Sequence, residues 1–338
     1  MGKRARAIHG FFALSCLPAS ALAWDYTPTV IPGLTVLYGY LSTQHSTLEL
    51  ASERYPGLRD DIRAARGEFD RQFPDALAKV TRLFEGMPLS ASDRALLATK
   101  ALDINRGAVP AALGSEEAVK WYLQRLRDTA HGDMEKGTLQ LLLAAVYEDR
   151  PAAELNSPLA QTIRTRTGAN AGADARVPDV SFRMPLSWVR DPQREKLQVG
   201  TTLFAFNSEA GHGQASIDVA IRPSPASTPA GKSDAERLVD NLRFLTGTTA
   251  NVETQGATMQ QQRRMNWVSF SITSESNSGQ TVQYGRAWFL PIREAGQTFM
   301  LLCRTAPLSE PAAEAERKRL EPLWTAVAAS VVVAAPPR

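Results

Sequence analysis

The chain has 338 residues, 43% of them hydrophobic and 22% charged, with a formal net charge of +3. Such a composition excludes wholesale disorder, collagen and long coiled coil, and the length suits about two domains. The basic excess points toward an acidic partner only until it is located along the chain.

Lys3, Arg4 and Arg6 form a basic leader, residues 8–19 are largely apolar, and Ala21-Leu22-Ala23 fits the small-x-small cleavage rule. This order of parts predicts a signal peptide over residues 1–23, cut before Trp24, and a periplasmic or secreted protein. The apolar run is shorter than the roughly 20 residues a membrane span needs, so no transmembrane segment is expected in the mature chain. Ala13-Leu14-Ser15-Cys16 loosely resembles a lipobox, the alternative in which Cys16 carries a lipid. The leader has no Asp or Glu, so its three cations are the whole basic excess. The remainder is formally neutral, and its global field indicates neither nucleic acid nor anionic lipid. Loss of the leader also removes Cys16 and leaves Cys303 alone, in the apolar run 299–303 that reads as a buried strand.

Residues 24–44 hold Pro28, Pro32, Gly33 and Gly39 and read as an extended leader onto the first helix. Residues 45–150 read as an all-α domain. Leu58, Ile62, Ala65, Phe69 and Phe73 recur at three- and four-residue steps, which is one helical face. Pro74 interrupts that helix. Ser92 opens a helix ending near Gly107, Ser115 with Glu116 and Glu117 opens another, and the Leu- and Ala-rich stretch 138–147 reads as a buried last helix. Residues 151–178, interrupted by Pro151, Asn156, Pro158, Gly168 and Gly172, read as a linker.

From residue 179 to 333 the period becomes two. Val180, Phe182 and Met184 alternate, a strand is expected near 198–206, and Ala215, Ile217, Val219 and Ile221 alternate with Ser216 and Asp218. A helix follows at 234–246. Val268, Phe270 and Ile272 then share one strand face, with Trp267, Ser269 and Ser271 on the other. Asn277-Ser278-Gly279 is a hairpin turn, Val282–Leu290 and Phe299–Arg304 are returning strands, and a helix covers 310–329. Consecutive hairpins with flanking helices predict an α+β domain with a mostly antiparallel sheet, behind an all-α domain.

Val180, Phe182, Met184, Pro185 and Trp188 resemble the opening strand of the PsbP/Mog fold family. Residues 234–244, 282–291, 299–304 and 310–329 resemble its helix, closing strands and last helix. The helical half, with Arg54-Tyr55-Pro56-Gly57-Leu58 and residues 69–73, is similar to segments of bacterial secreted proteins. The family includes photosystem II extrinsic subunits, a Ran-binding import factor and periplasmic DcrB-like lipoproteins. The resemblance therefore implies a PsbP-like sheet and a role in binding or assembly. None of the family's binding residues maps onto a motif here.

The chain offers little for catalysis. Ala226 to Ser233, ending in Gly231-Lys232-Ser233, satisfies a loose phosphate-loop pattern. Pro229 lacks the N–H such a cradle needs, and Ser233 with Glu236 makes a capping box that explains the serine without a ligand. Neither a Gly-x-Ser-x-Gly elbow nor a Ser-x-x-Lys pair occurs. His45, His131 and His212 have no metal-ligand spacing, so no metal and no cofactor is expected. Arg263, Arg264, Trp267 and Arg286 are the candidate binding surface, a polar-aromatic patch on the outer face of the meander. The expectation is a non-enzymatic module that binds a periplasmic or envelope protein and no nucleic acid. The alternative is a hydrolase with an unfamiliar site in an interdomain cleft that holds His212 or His131.

Overall fold

The computed structural model describes residues 24–106, 108–165, 178–197, 203–224, 250–276 and 279–334. The expected leader peptide, the run 168–175, the loop 226–233 and the helix 234–246 lie outside these residues, as do Asn277 and Ser278 of the hairpin turn.

The first unit is helical. Helix α1 spans Val30–Arg54, so most of the segment expected to be an extended leader is helix. Pro32 sits in the first turn, where its missing N–H costs nothing, and the Thr27 hydroxyl accepts the Val30 N–H at 3.2 Å. Gly39 does not break the helix. It lets the helix that carries Ala101 approach so closely that a β-carbon there would lie 2.4 Å from the Ala101 carbonyl oxygen. Helices α2 (Arg59–Gln72), α3 (Ala76–Glu85), α4 (Ala91–Arg106), α5 (Ala108–Ala112), α6 (Glu116–Ala130) and α7 (Lys136–Val146) complete the unit. Ile62, Ala65, Phe69 and Phe73 are buried as their spacing predicts. Ser90, rather than Ser92, caps α4 by accepting the Asp93 N–H at 3.1 Å. Ser115 caps α6 through the Ala118 N–H, also at 3.1 Å. Every residue of α7 from Leu139 to Val146 is buried, which makes it the central helix.

Part of the expected linker belongs to the fold. Residues 151–154 form α8 (Pro151–Glu154), and β1 (Gln161–Arg164) pairs antiparallel with β2 (Val180–Met184). Elements of four residues are too short to show a hydrophobic period, so only their turn residues were visible in the sequence.

The second unit carries two antiparallel sheets. The small one has the order β1-β2-β10, with β10 at Val332–Val333. The large one joins β3 (Val189–Arg190), β4 (Phe204–Asn207), β5 (Ser216–Pro223), β6 (Asn251–Gln260), β7 (Arg263–Ser276), β8 (Gly279–Ile292) and β9 (Gln297–Arg304) in the order β3-β4-β5-β9-β8-β7-β6. A short helix, α9 (Pro192–Leu197), precedes β4, and α10 (Glu310–Ala329) ends the unit. Leu320, Leu323, Trp324 and Val327 of α10 pack on the sheet face that presents Met265, Trp288, Leu290, Leu301 and Cys303. The opposite face gathers Ala220, Val268, Phe270, Ala287, Phe289, Met300 and Leu302 into a second buried cluster. Strand β6 has almost no buried side chain, and such an edge strand carries no alternation in its sequence. Its Gly256 admits the Trp267 ring, which lies 2.6 Å from where a β-carbon would stand. The chain is thus an α+β protein with helices first and antiparallel sheets second.

Candidate functional site

The four residues expected to form one outer patch do not gather. Arg286 stacks on Trp267 with 4.8 Å from guanidinium to ring centroid, and on Trp288 at 5.7 Å. It also donates to the Ser269 hydroxyl at 2.9 Å and ion-pairs with Glu321 of α10. This places the stack beneath α10, not on an outer face. Trp267 does point away from Phe270, as alternation requires, but both faces of this sheet are covered, so the second side is another interior. Arg263 pairs with Glu294 at 2.8 Å, and Arg264 donates to Asn266 at 3.0 Å. Both sit beside the Gln261–Gln262 turn, whose residues hold positive φ of 47° and 62°.

A denser polar constellation lies where the two units meet. The turn after β4 places Glu209 and Ala210 at positive φ, 54° and 57°, and inserts them against α7. Glu209 is buried, with one carboxylate oxygen lacking any hydrogen-bond partner, and burial pushes its carboxyl up to about 8. Glu154 accepts the Ser187 N–H at 2.9 Å and pairs with the Ser187 hydroxyl at 2.5 Å, yet burial still raises it to about 7. Glu148, raised by burial against the opposing pull of Arg82, bonds that arginine at 2.8 Å. Arg319 is gripped bidentately by Glu316, at 2.8 and 2.6 Å, and donates to the Glu148 main-chain oxygen at 2.7 Å. Burial would lower this guanidinium, but Glu316, Glu209 and Glu148 carry it above its ordinary value. Glu148, Glu154, Ser187, Glu209 and Arg319 line a cavity of about 20 Å³, room for a single water. Neither His212 nor His131 lines it. Glu148, Glu154 and Glu209 were not singled out in the sequence, because a glutamate that folding will bury looks the same there as one on a solvated face.

The helical unit carries an open groove of about 700 Å³ between α1, α2 and α3. Leu41, Leu48, Phe69 and Leu77 give it an apolar floor, and His45, Arg66, Asp70, Asp75 and Glu85 are among its polar residues. Arg66 and Asp70 form an ion pair at 3.6 Å on the rim, and His45 Nε2 lies 3.1 Å from a Glu49 carboxylate oxygen. Gln44 lines the groove with a side chain only 6% exposed, and its carbonyl oxygen has no partner. Among the described residues no group of His, Cys, Asp and Glu could hold a metal ion, and no helix is long and apolar enough to cross a membrane.

No family model and no curated protein matches the chain. Among solved structures, it is similar to cyanobacterial PsbP (CyanoP) of Synechocystis sp. PCC 6803, with 14% identity over 52% of this chain and 92% of that one, at a TM-score of 0.37. It is also similar to the Ran-binding protein Mog1p of Saccharomyces cerevisiae, with 10% identity over 52% of this chain and 95% of that one, at a TM-score of 0.34. Both names belong to the fold family that residues 180–188 and the closing strands resemble.

Proposed function

We propose that this protein is an exported, non-enzymatic binding module of the bacterial periplasm or cell envelope, and that it seats a segment of a partner protein in the groove of its helical unit. Export rests on the leader built from Lys3, Arg4, Arg6, the apolar run and Ala21-Leu22-Ala23. The observation that carries the binding reading is the open groove itself, about 700 Å³ over an apolar floor. A peptide segment supplies what that groove can take: apolar side chains for the floor of Leu41, Leu48, Phe69 and Leu77, and polar groups for the rim of Arg66, Asp70 and Glu85. The arginine–tryptophan stack beneath α10 is assigned a packing role instead.

A photo-crosslinking residue at exposed Ala78 in the groove, with a control at exposed Ser274 on β7, tests this in the periplasm. The groove position is expected to give a discrete protein adduct that the control lacks. Leu77→Asp, which puts a charge on the half-buried floor, is expected to weaken it about tenfold. No adduct at Ala78, or the same adducts from both positions, overturns the reading.

A further inference from the structure

Trp24 is the first residue after the expected cleavage site, yet it is only 6% exposed. Chain termini are ordinarily exposed and loosely held unless something ties them down. Here the tie is visible. The Asp25 main-chain N–H bonds the Glu209 carboxylate, and Tyr26 donates to the Leu83 main-chain oxygen at 3.1 Å. Residues 24–26 therefore run directly into the junction between the units.

Burial holds Glu209 largely protonated near neutral pH, and among the described residues the junction offers no cation of its own for it to ionise against. Glu148, Glu209 and Glu316 face two guanidiniums, Arg82 and Arg319, and both cations are already committed, to Glu148 and Glu316 respectively. Glu209 keeps an oxygen with no partner. It is nonetheless held in the junction by a turn with two consecutive residues at positive φ, a strain that persists only where the surroundings enforce it. The groups that face it are Arg319 and Glu316 from α10, Glu148 beyond the end of α7, and Tyr26 from the N-terminal segment. One more positive charge near Glu209 would let that carboxyl ionise and pair.

Successive main-chain nitrogens lie about 3–4 Å apart by standard bond geometry, so the Trp24 nitrogen is one step from the Asp25 N–H that already bonds Glu209. We propose that cleavage before Trp24 supplies the missing charge: the new α-ammonium of Trp24 pairs with Glu209 and locks the mature N-terminus into the junction. Within the precursor this nitrogen is a neutral amide with a single N–H. Hydrolysis of the Ala23–Trp24 bond by the peptidase adds water across it, giving the leader a carboxylate and Trp24 an ammonium with three donors. Processing then completes the interface between the helical and sheet units, so the full interface forms only after export. The inference rests on the export reading above.

The test compares three full-length mature proteins: one with a free amine at Trp24, one acetylated there, and one that retains Ala23. The free-amine form is expected to melt several degrees higher near neutral pH. Its amine is expected to react with an acylating reagent about tenfold more slowly than in Glu209→Gln, as a one-unit rise in amine pKa requires. In Glu209→Gln the three N-terminal forms are expected to melt together. The acetylated wild type keeps the test decisive if that variant fails to fold. N-terminal sequencing of exported protein separates this proposal from the export reading. A different start on exported protein overturns this proposal alone, whereas protein that keeps residues 1–23 and is not exported overturns the export reading. A start at Trp24 with equal melting of the three forms, or an amine as reactive as in the variant, overturns the ion pair alone.

Discussion

Arg319 of α10 reaches across the molecule to donate a 2.7 Å hydrogen bond to the main-chain oxygen of Glu148, just beyond the end of α7. The same guanidinium is held bidentately by Glu316 one turn earlier on its own helix. One side chain therefore connects the helical core to the helix that backs the sheet. Arg319→Met would leave the Glu316 carboxylate buried without its partner. Breaking a buried pair from one side costs about 3–5 kcal/mol. The variant is expected to lose about that much in urea denaturation, and to become sensitive to proteolysis between α7 and β1. An unchanged urea midpoint would remove Arg319 from this role.

Glu154 gives the junction a pH dependence whose sign is fixed by burial. Its carboxyl is raised from 4.5 to about 7, chiefly by desolvation. Between those values the folded chain holds a proton that the unfolded chain has released, so this contribution to stability is full below about pH 4.5 and is lost as pH rises through about 7. Glu154→Gln keeps an acceptor for the Ser187 N–H but does not ionise. The variant is expected to show a shallower fall in stability than wild type between about pH 5 and 8, read from urea midpoints, and to be the more stable of the two at the alkaline end.

The sequence was most readable where a single periodicity ran for several turns. The face of Leu58, Ile62, Ala65 and Phe69 is buried as its spacing requires, and β5, β7, β8, β9 and α10 fall where alternation and helical spacing place them. Residues 30–44 misled because proline and glycine ordinarily mark irregular chain. Here Pro32 occupies a first turn and Gly39 a helix–helix contact. Strand β6 gave no signal because an exposed edge has no buried side to alternate with. The site was less legible than the fold. The separation of Trp267 from Phe270 followed from alternation, but whether the face of Trp267 meets solvent or α10 depends on tertiary packing. Burial of Glu209 likewise depends on a turn that brings it against α7.

Cys303 is the free thiol of the described sheet, fully buried on β9 opposite Ile217 of β5. Burial, with a smaller contribution from Asp218, pushes its thiol well above the ordinary value. A thiolate is the reactive form, so a thiol reagent is expected to label the native protein only through unfolding or large local opening. Labelling at the rate of an exposed thiol under native conditions would contradict this packing. Cys303→Ser is expected to destabilise by about 1–3 kcal/mol, because the hydroxyl enters an apolar cluster with Trp288 and Leu301.

Two glycines in neighbouring helices should answer the same substitution with opposite signs. At Gly39 of α1 a β-carbon would stand 2.4 Å from the Ala101 carbonyl oxygen and 2.9 Å from the Ala101 β-carbon. Both obstacles are fixed to the α4 backbone, so Gly39→Ala forces the helices apart and is expected to cost about 1–3 kcal/mol. At Gly67 of α2 a β-carbon would meet nothing within 4 Å. Gly67→Ala therefore adds no clash, removes conformational freedom from the unfolded chain, and is expected to stabilise by about 0.4–1 kcal/mol. Urea denaturation of both variants reads the difference. If Gly39→Ala were neutral, α1 and α4 would not pack at the separation described here, and the helical reading of the segment that looked like a leader would lose its main structural support.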